Sequence, residues 1–198
     1  MLRCRIHDVL SRHLELRQLR KVAQSHGRPE LPELVKIDPF EAVWRVSIPN
    51  HEPRFMSVRS GAVNHEFFVV HLDAERFYHA WFKASPRIPR RRCSDCICRF
   101  QMSADYKYKW AVDGFSHGVN NPGPLAESGA HVDAGGRLCL GFTNGVTRTY
   151  WLLENHCPAF PVKVCGGDSA HLLHQTAGLV PGPTALAELF SKTNPQYV

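Results

Sequence analysis

The sequence predicts an α+β fold, a mixed sheet with short helices. Three observations predict it. Short segments with strand-like alternation, bounded by Pro, Gly and Asn, cluster between residues 40 and 72. After residue 73, segments with helical spacing of apolar residues alternate with further short strands. No apolar run approaches the ~20 residues that a membrane span needs. A chain of 198 residues, 43% hydrophobic and 21% charged, can bury one sizeable core.

The elements follow in order. Val9, Leu10, Leu14, Leu16, Leu19 and Val22 recur at roughly helical spacing with arginines between them, which predicts a helix over 5–25. Gly27 and Pro29 stop it. PELPELVKIDP (29–39) reads as a linker. FEAVWRVSIP (40–49), PRFMSVRSG (53–61) and HEFFVVHL (65–72) read as strands. Asp73 is placed to cap a helix over 73–85, with Phe77, Ala80 and Trp81 on one face. A further helix is expected over 105–118, then a Pro/Gly loop with a short strand over 120–133. RLCLGF (137–142) reads as a strand, 146–155 as a helix and FPVKV (160–164) as a strand. One or two helical turns are expected over 170–176, and TALAELFSK (184–192) as a last helix. The expected organisation is an N-terminal basic helix and linker (1–38), a main domain (39–178) and a C-terminal helix and tail (179–198). The N-terminal helix reads as peripheral.

The net charge of +6 is uneven. Residues 1–28 hold seven Lys/Arg against two acids, and 87–99 hold five Arg against one. The rest of the chain is slightly acidic. Two basic segments suit phosphate backbones or an anionic surface, and equally suit solvated loops. Within the second, Arg90, Arg91 and Arg92 are the candidate DNA contacts. The N-terminus lacks the apolar stretch of a secretory signal, so a cytoplasmic protein is expected.

Seven cysteines in such a chain are expected to be mostly reduced and buried. Cys93 and Cys96 have zinc-ligand spacing, but a closed site needs four ligands and no second pair matches. Zinc is not expected.

The polar turn Thr143-Asn144-Gly145-Val146-Thr147-Arg148 joins the strand at 137–142 to a helix. The first N–H groups of a helix have no intrahelical partner, and the macrodipole puts partial positive charge there. A cation in the first turn is unfavourable unless an anion sits nearby. Two readings fit. The turn is a helix cap with Arg148 paired to a local carboxylate, or it is a phosphate cradle of backbone N–H groups, Thr143, Asn144, Thr147 and the Arg148 fork.

The order strand, N-G-x-T-R turn, helix, proline, strand resembles the ParB/sulfiredoxin superfamily. There the turn reads G-G-x-H-R or D-G-x-H-R and an I-P-V-type strand closes the unit. The counterparts are Asn144-Gly145-Val146-Thr147-Arg148, then Tyr150-Trp151-Leu152-Leu153, then Phe160-Pro161-Val162. Upstream, the helix 105–118 and Asn121-Pro122-Gly123-Pro124-Leu125 match a helix and Pro-rich loop. More narrowly, about residues 40–178 resemble the plasmid fertility inhibition factors, which block conjugative DNA transfer.

The resemblance implies a ParB/sulfiredoxin-like mixed sheet and an ATPase and DNase that blocks conjugative or T-DNA transfer through a type IV secretion system. ATP and Mg²⁺ are the implied cofactors and DNA the implied partner. Arg148 and Lys107 are the implied catalytic residues. Thr143, Asn144, Gly145, Thr147, Arg148 and Lys107 are the implied nucleotide contacts. Lys107 is chosen because a lysine on the helix before the Pro-rich loop reaches phosphates in sulfiredoxin-like proteins. Arg76 and His71 are weaker candidates, and Asp113 and His117 share a helix face. Glu127, Asp133 and Glu154 are the carboxylates in the region, and no pair is brought together by sequence alone.

Two departures matter. Val146 stands where sulfiredoxin has its cysteine, so sulfinic-acid reduction cannot run by that route. Thr147 replaces the usual histidine, which removes an imidazole base. They favour an alternative: a non-catalytic inhibitor that binds the coupling ATPase or another transfer component through the basic segments, at the inner face of the cytoplasmic membrane. Pure ParB-like DNA binding ranks last, because no helix-turn-helix follows the core.

Overall fold

Residues 41–46 and 54–59 pair as an antiparallel ribbon whose middle is buried on both faces, through Ala42, Val43 and Trp44 on one strand and Met56, Ser57 and Val58 on the other. In the computed structural model, which describes residues 2–25, 27–62, 66–85 and 95–191, helix α1 (Leu2–Ser25) precedes strands β1 (Glu33–Ile37), β2 (Glu41–Val46), β3 (Arg54–Arg59) and β4 (Phe67–Asp73). Helix α2 (Ala74–Ala84), a 3-10 turn at Arg99–Ala104 and α3 (Tyr108–Gly114) follow. Then come β5 (Gly123–Pro124), β6 (Ala126–Val132), β7 (Leu138–Asn144), α4 (Val146–Glu154), β8 (Ala159–Cys165), α5 (Gly167–Ala177), β9 (Thr184–Ala185) and α6 (Leu186–Ser191). Arg90, Arg91, Arg92 and Cys93 lie outside the described residues.

The strands form two mixed sheets, ordered β1-β2-β3-β5 and β7-β6-β8-β4-β9. β4 and β8 pair antiparallel along their whole length, from Phe67↔Cys165 to Asp73↔Ala159. β6 runs parallel to β8, with Glu127 opposite Lys163. These are the mixed strands and short helices that the sequence predicts.

Some boundaries differ. The segment 29–39, expected as a linker, supplies β1, which pairs with β2 through Glu33↔Arg45 and Ile37↔Ala42. The helix expected over 105–118 is shorter, because Asp105 Oδ1 accepts the Lys107 N–H at 2.9 Å and closes a turn first. The short strand in 120–133 is the seven-residue β6, and the turns expected over 170–176 are the eleven-residue α5.

Aromatic side chains fill the core. Leu72 pairs with Phe160, and the Phe160 ring meets Phe77 of α2 edge-on at 6.0 Å. Trp81 is fully buried, stacked on Tyr150 at 5.5 Å and 4.7 Å from Phe142. That packing ties α2 to β7 and α4, the elements on either side of the polar turn. Asp73 caps α2 as expected, accepting the Glu75 and Arg76 N–H groups at 3.1 Å.

Helix α1 docks on α2 through Arg12. Its guanidinium donates to the carbonyls of Phe82 and, at 2.7 Å, Ser85, and lies 4.2 Å over the Phe82 ring. Glu15 accepts the Tyr78 hydroxyl at 2.8 Å, and Leu19 is buried. A cation on the last carbonyls of a helix satisfies orphan acceptors and complements the dipole. Arg12→Ala is expected to lower stability by about 2 kcal/mol through loss of charge-assisted hydrogen bonds. Urea unfolding checks it, and an unchanged midpoint would show that α1 docks by other contacts. No helix among the described residues is long and apolar enough to cross a membrane.

Candidate functional site

β7 runs through Thr143 and Asn144, both exposed, and ends at Gly145. Gly145 has φ 90° and ψ 13°, the left-handed conformation, and its residue offers no side-chain cap to α4. A Cβ there would lie 2.6 Å from the Ala126 Cβ and 2.7 Å from the Ala126 Cα. The turn is therefore packed onto the start of β6, and only glycine fits.

Arg148 sits in the first turn of α4. Its Nε and Nη2 are buried and have no hydrogen-bond partner. Burial pushes its pKa below the usual value, and the Glu127 charge opposes that. Nη2 stands 3.0 Å from where a Gly145 Cβ would be, so the guanidinium folds back across the turn. Of the two readings of the turn, a direct Arg148 ion pair is not what the geometry gives. Thr147 donates to Asp105 Oδ1 at 3.3 Å, and the same oxygen takes the Lys107 N–H. The segment carrying Lys107 is thus brought beside the turn, while the Lys107 ammonium stands 5.3 Å from the Tyr106 ring.

The weaker candidates have structural roles. Arg76 Nε lies 3.6 Å from the capping carboxylate of Asp73. Asp113 and His117 form a loose exposed pair at 3.7 Å. Asp133 holds the β6–β7 turn, accepting from Gly135 and Arg137 N–H and pairing with Arg137 at 2.8 Å. Glu154, at the opposite end of α4 from the turn, lines a cavity of about 470 Å³ with Glu15, Glu75, Arg99 and His156. Arg99 donates to both oxygens of Glu75, at 2.6 and 2.8 Å, and to the Leu153 carbonyl. The three candidate carboxylates are therefore not one cluster. Among the described residues, no group of three His, Cys, Asp or Glu is placed to hold a metal ion. Burial raises the Cys96 thiol well above its ordinary value and pushes Cys157 up to about 12, so both are inert core thiols.

His71 is a core histidine. It packs edge-on against Trp44 at 6.0 Å, and burial lowers its pKa from 6.5 to about 4. The unfolded chain takes up this proton near pH 6.5 and the folded chain only near 4. Stability from this group is complete above the higher value and falls as pH drops through that window, by about 2–3 kcal/mol. His71→Gln should flatten the stability–pH curve between these limits. An unchanged slope would assign the acid sensitivity elsewhere.

Sequence reasoning missed Lys163. It is the one charged residue in the apolar strand AFPVKVC, with its side chain 15% exposed, and its ammonium donates to Glu127 Oε1 at 2.7 Å. A lone charge inside an apolar strand was the signal. A groove of about 700 Å³ also runs along β6 and β7 past Gly129, His131 and Gly141 to Thr143. Its rim includes Ser85 and Asp95, the described residues that flank the arginine-rich insert.

Comparison with known proteins gives one consistent result. Residues 69–178 match the family model described as plasmid fertility inhibition factor. The chain is 34% identical over 178 residues to protein osa of Shigella flexneri, covering 89% of this chain and 90% of that protein. It is also similar to a crystal structure of the oncogenic suppression activity protein, a plasmid fertility inhibition factor, in its gold(I) cyanide derivative. That match has a TM-score of 0.81 and 31% identity, covering 94% of this chain and 96% of the other.

Proposed function

The chain belongs to the plasmid fertility inhibition factors, and from that premise we propose that it blocks conjugative or T-DNA transfer through a type IV secretion system by hydrolysing ATP and degrading the transferred DNA. The observation that carries this reading is Arg148. A guanidinium whose Nε and Nη2 are buried without a hydrogen-bond partner, beside a left-handed glycine at a helix N-terminus, is short of an anion. Phosphoryl oxygens supply one, and the unpaired N–H groups of α4 add donors to it.

The catalytic step asked of these residues is electrostatic. A pentavalent phosphate gathers negative charge, and a fixed cation in a partly desolvated turn stabilises it without reorganising. Mg²⁺, when bound, would neutralise further charge on the phosphoryl oxygens. Of the carboxylates, Asp105, which accepts from Thr147 of the turn, would be the one to orient it or a water. Thr143, Asn144 and Gly145 shape the approach, and Thr147 serves the turn through Asp105 rather than as a base. The protein would act in the cytoplasm, with DNA as substrate and the transfer machinery at the inner membrane as its setting.

A second reading keeps the family's effect without chemistry. Val9, Leu10 and Leu14 of the basic helix α1 are 48%, 59% and 64% exposed. Such residues beside Arg17 and Lys21 suit an acidic partner surface, such as a face of the coupling ATPase. Purified protein incubated with linear DNA and ATP, with Mg²⁺ or with EDTA, separates the two. Mg²⁺-dependent phosphate release and DNA loss support the enzyme. A folded, inactive protein that still blocks transfer in cells supports the binding module.

A further inference from the structure

The register of the second sheet lines up Asn144 of β7, Glu127 of β6, Lys163 of β8 and Val69 of β4 as successive neighbours. Cross-strand neighbours share a face, and adjacent strands are only about 4.8 Å apart. The row therefore carries a polar amide, a carboxylate and an ammonium to the strand end where the turn begins. Arg148 reaches the start of β6 from the helix side: its Nη2 lies 3.0 Å from the position of a Gly145 Cβ, which would itself touch Ala126, the residue before Glu127.

The acceptors are unequally shared. Glu127 is bonded to Lys163 at 2.7 Å, and the Lys163 ammonium also stands 4.6 Å from the Phe67 ring. The carboxylate of the row is bonded to Lys163, and Arg148 Nε and Nη2 are left without a hydrogen-bond acceptor. A buried or half-buried lysine is costly to keep in an apolar strand where Val or Ile would pack. Its presence in the row that leads to the Arg148 turn needs a reason beyond packing.

We propose that Lys163, rather than Lys107, is the second cation of the anion site at the turn, and that Glu127 is its resting counter-ion. A phosphoryl group entering beside Arg148 takes over Lys163, and Glu127 yields the ammonium to it. This rests on the reading that the turn holds phosphate. The ligand chemistry is a phosphoryl oxyanion, from a nucleoside triphosphate or from a DNA backbone.

The test uses the full chain. ATP binding is measured by calorimetry and binding of a labelled DNA 20-mer by fluorescence anisotropy, for wild type, Arg148→Ala, Lys163→Met, Lys163→Arg, Glu127→Gln and Lys107→Ala. Lys163→Met should weaken the phosphate ligand about tenfold, as loss of one charge-assisted bond does, and Lys163→Arg should restore most of it. Glu127→Gln should tighten it by about threefold, because a competing negative charge is gone. Lys107→Ala should stay within about twofold, the effect of a screened surface charge. An effect confined to ATP identifies the nucleotide, and one confined to DNA identifies the backbone.

The sign of the Glu127→Gln effect decides the matter even if Lys163→Met folds poorly. If Glu127→Gln weakens binding or leaves it unchanged, the Lys163–Glu127 pair is only a prop of the sheet. Weakening by Arg148→Ala with wild-type binding by Lys163→Met would overturn this inference and leave the turn reading intact. No difference between wild type and Arg148→Ala would remove both.

Discussion

Arg148→Ala is expected to abolish ATP hydrolysis and DNA degradation together, to release plasmid transfer from inhibition, and to leave the protein folded. The functional loss should be at least on the order of 10²–10³, the usual effect of removing a preorganised group that stabilises transition-state charge. Folding should survive because the buried Nε and Nη2 give up no hydrogen bonds. Removing a partly desolvated, under-partnered cation should change stability by no more than about 1 kcal/mol. Phosphate release, gel analysis of linear DNA, urea unfolding and a mating assay check the four parts. Arg148→Lys should recover little, because an ammonium restores charge but not the planar fork. Hydrolysis by Arg148→Ala at the wild-type rate would move the active site away from the turn. Loss of hydrolysis with undiminished inhibition would favour a protein that obstructs the transfer machinery by binding it.

The fold was legible where local signals agreed. Asp73, with Phe77 and Trp81 spaced behind it, announced both the start and the buried face of α2. Gly145 followed by Thr147 and Arg148 announced the turn and the start of α4. β1 was not legible because four of its five residues are exposed, so no alternation marks it, and Pro32 precedes it. It exists through backbone pairing with β2, which is not a pattern in its own sequence. The start of α5 was hidden by Gly166 and Gly167, which read as loop yet supply a positive φ of 83° at Gly166 and the first helical residue.

The site was legible only as far as the turn. Asp105 could not be linked to Thr147 from sequence, since 42 residues separate them. Glu127 and Lys163 meet through a parallel pairing that no short-range pattern encodes. The sequence argument placed Lys107 by analogy of position. The structure brings the Lys107 backbone to Asp105 beside the turn and places Lys163 in the strand row that leads to it. Parallel strands joined by long crossovers are where reasoning from local spacing loses contact with the fold.

Gly145→Ala should cost about 2–5 kcal/mol, the sum of a left-handed residue with a side chain and a backbone overlap. Both terms come from the same atom. At φ 90° the new Cβ is strained whatever surrounds it, and here it would also lie 2.7 Å from the Ala126 Cα. Ala126 cannot step aside, because it is fully buried and begins the parallel pairing with Val162. Gly141→Ala, four residues earlier on β7, is the control. It has no positive φ and nothing within 4 Å of its added Cβ, so its effect should stay within about 0.5 kcal/mol. The added methyl of Gly145→Ala would also sit 3.0 Å from Arg148 Nη2, so the guanidinium must leave the turn even in molecules that stay folded. Ligand affinity should therefore fall further than the folded fraction alone accounts for, and anisotropy at a temperature where the variant is still native measures the difference. Equal losses in affinity and folded fraction would mean that Arg148 does not act from its folded-back position. Wild-type stability would mean that the turn does not rest on β6, and the packing that holds Arg148 near Ala126 would fall with it.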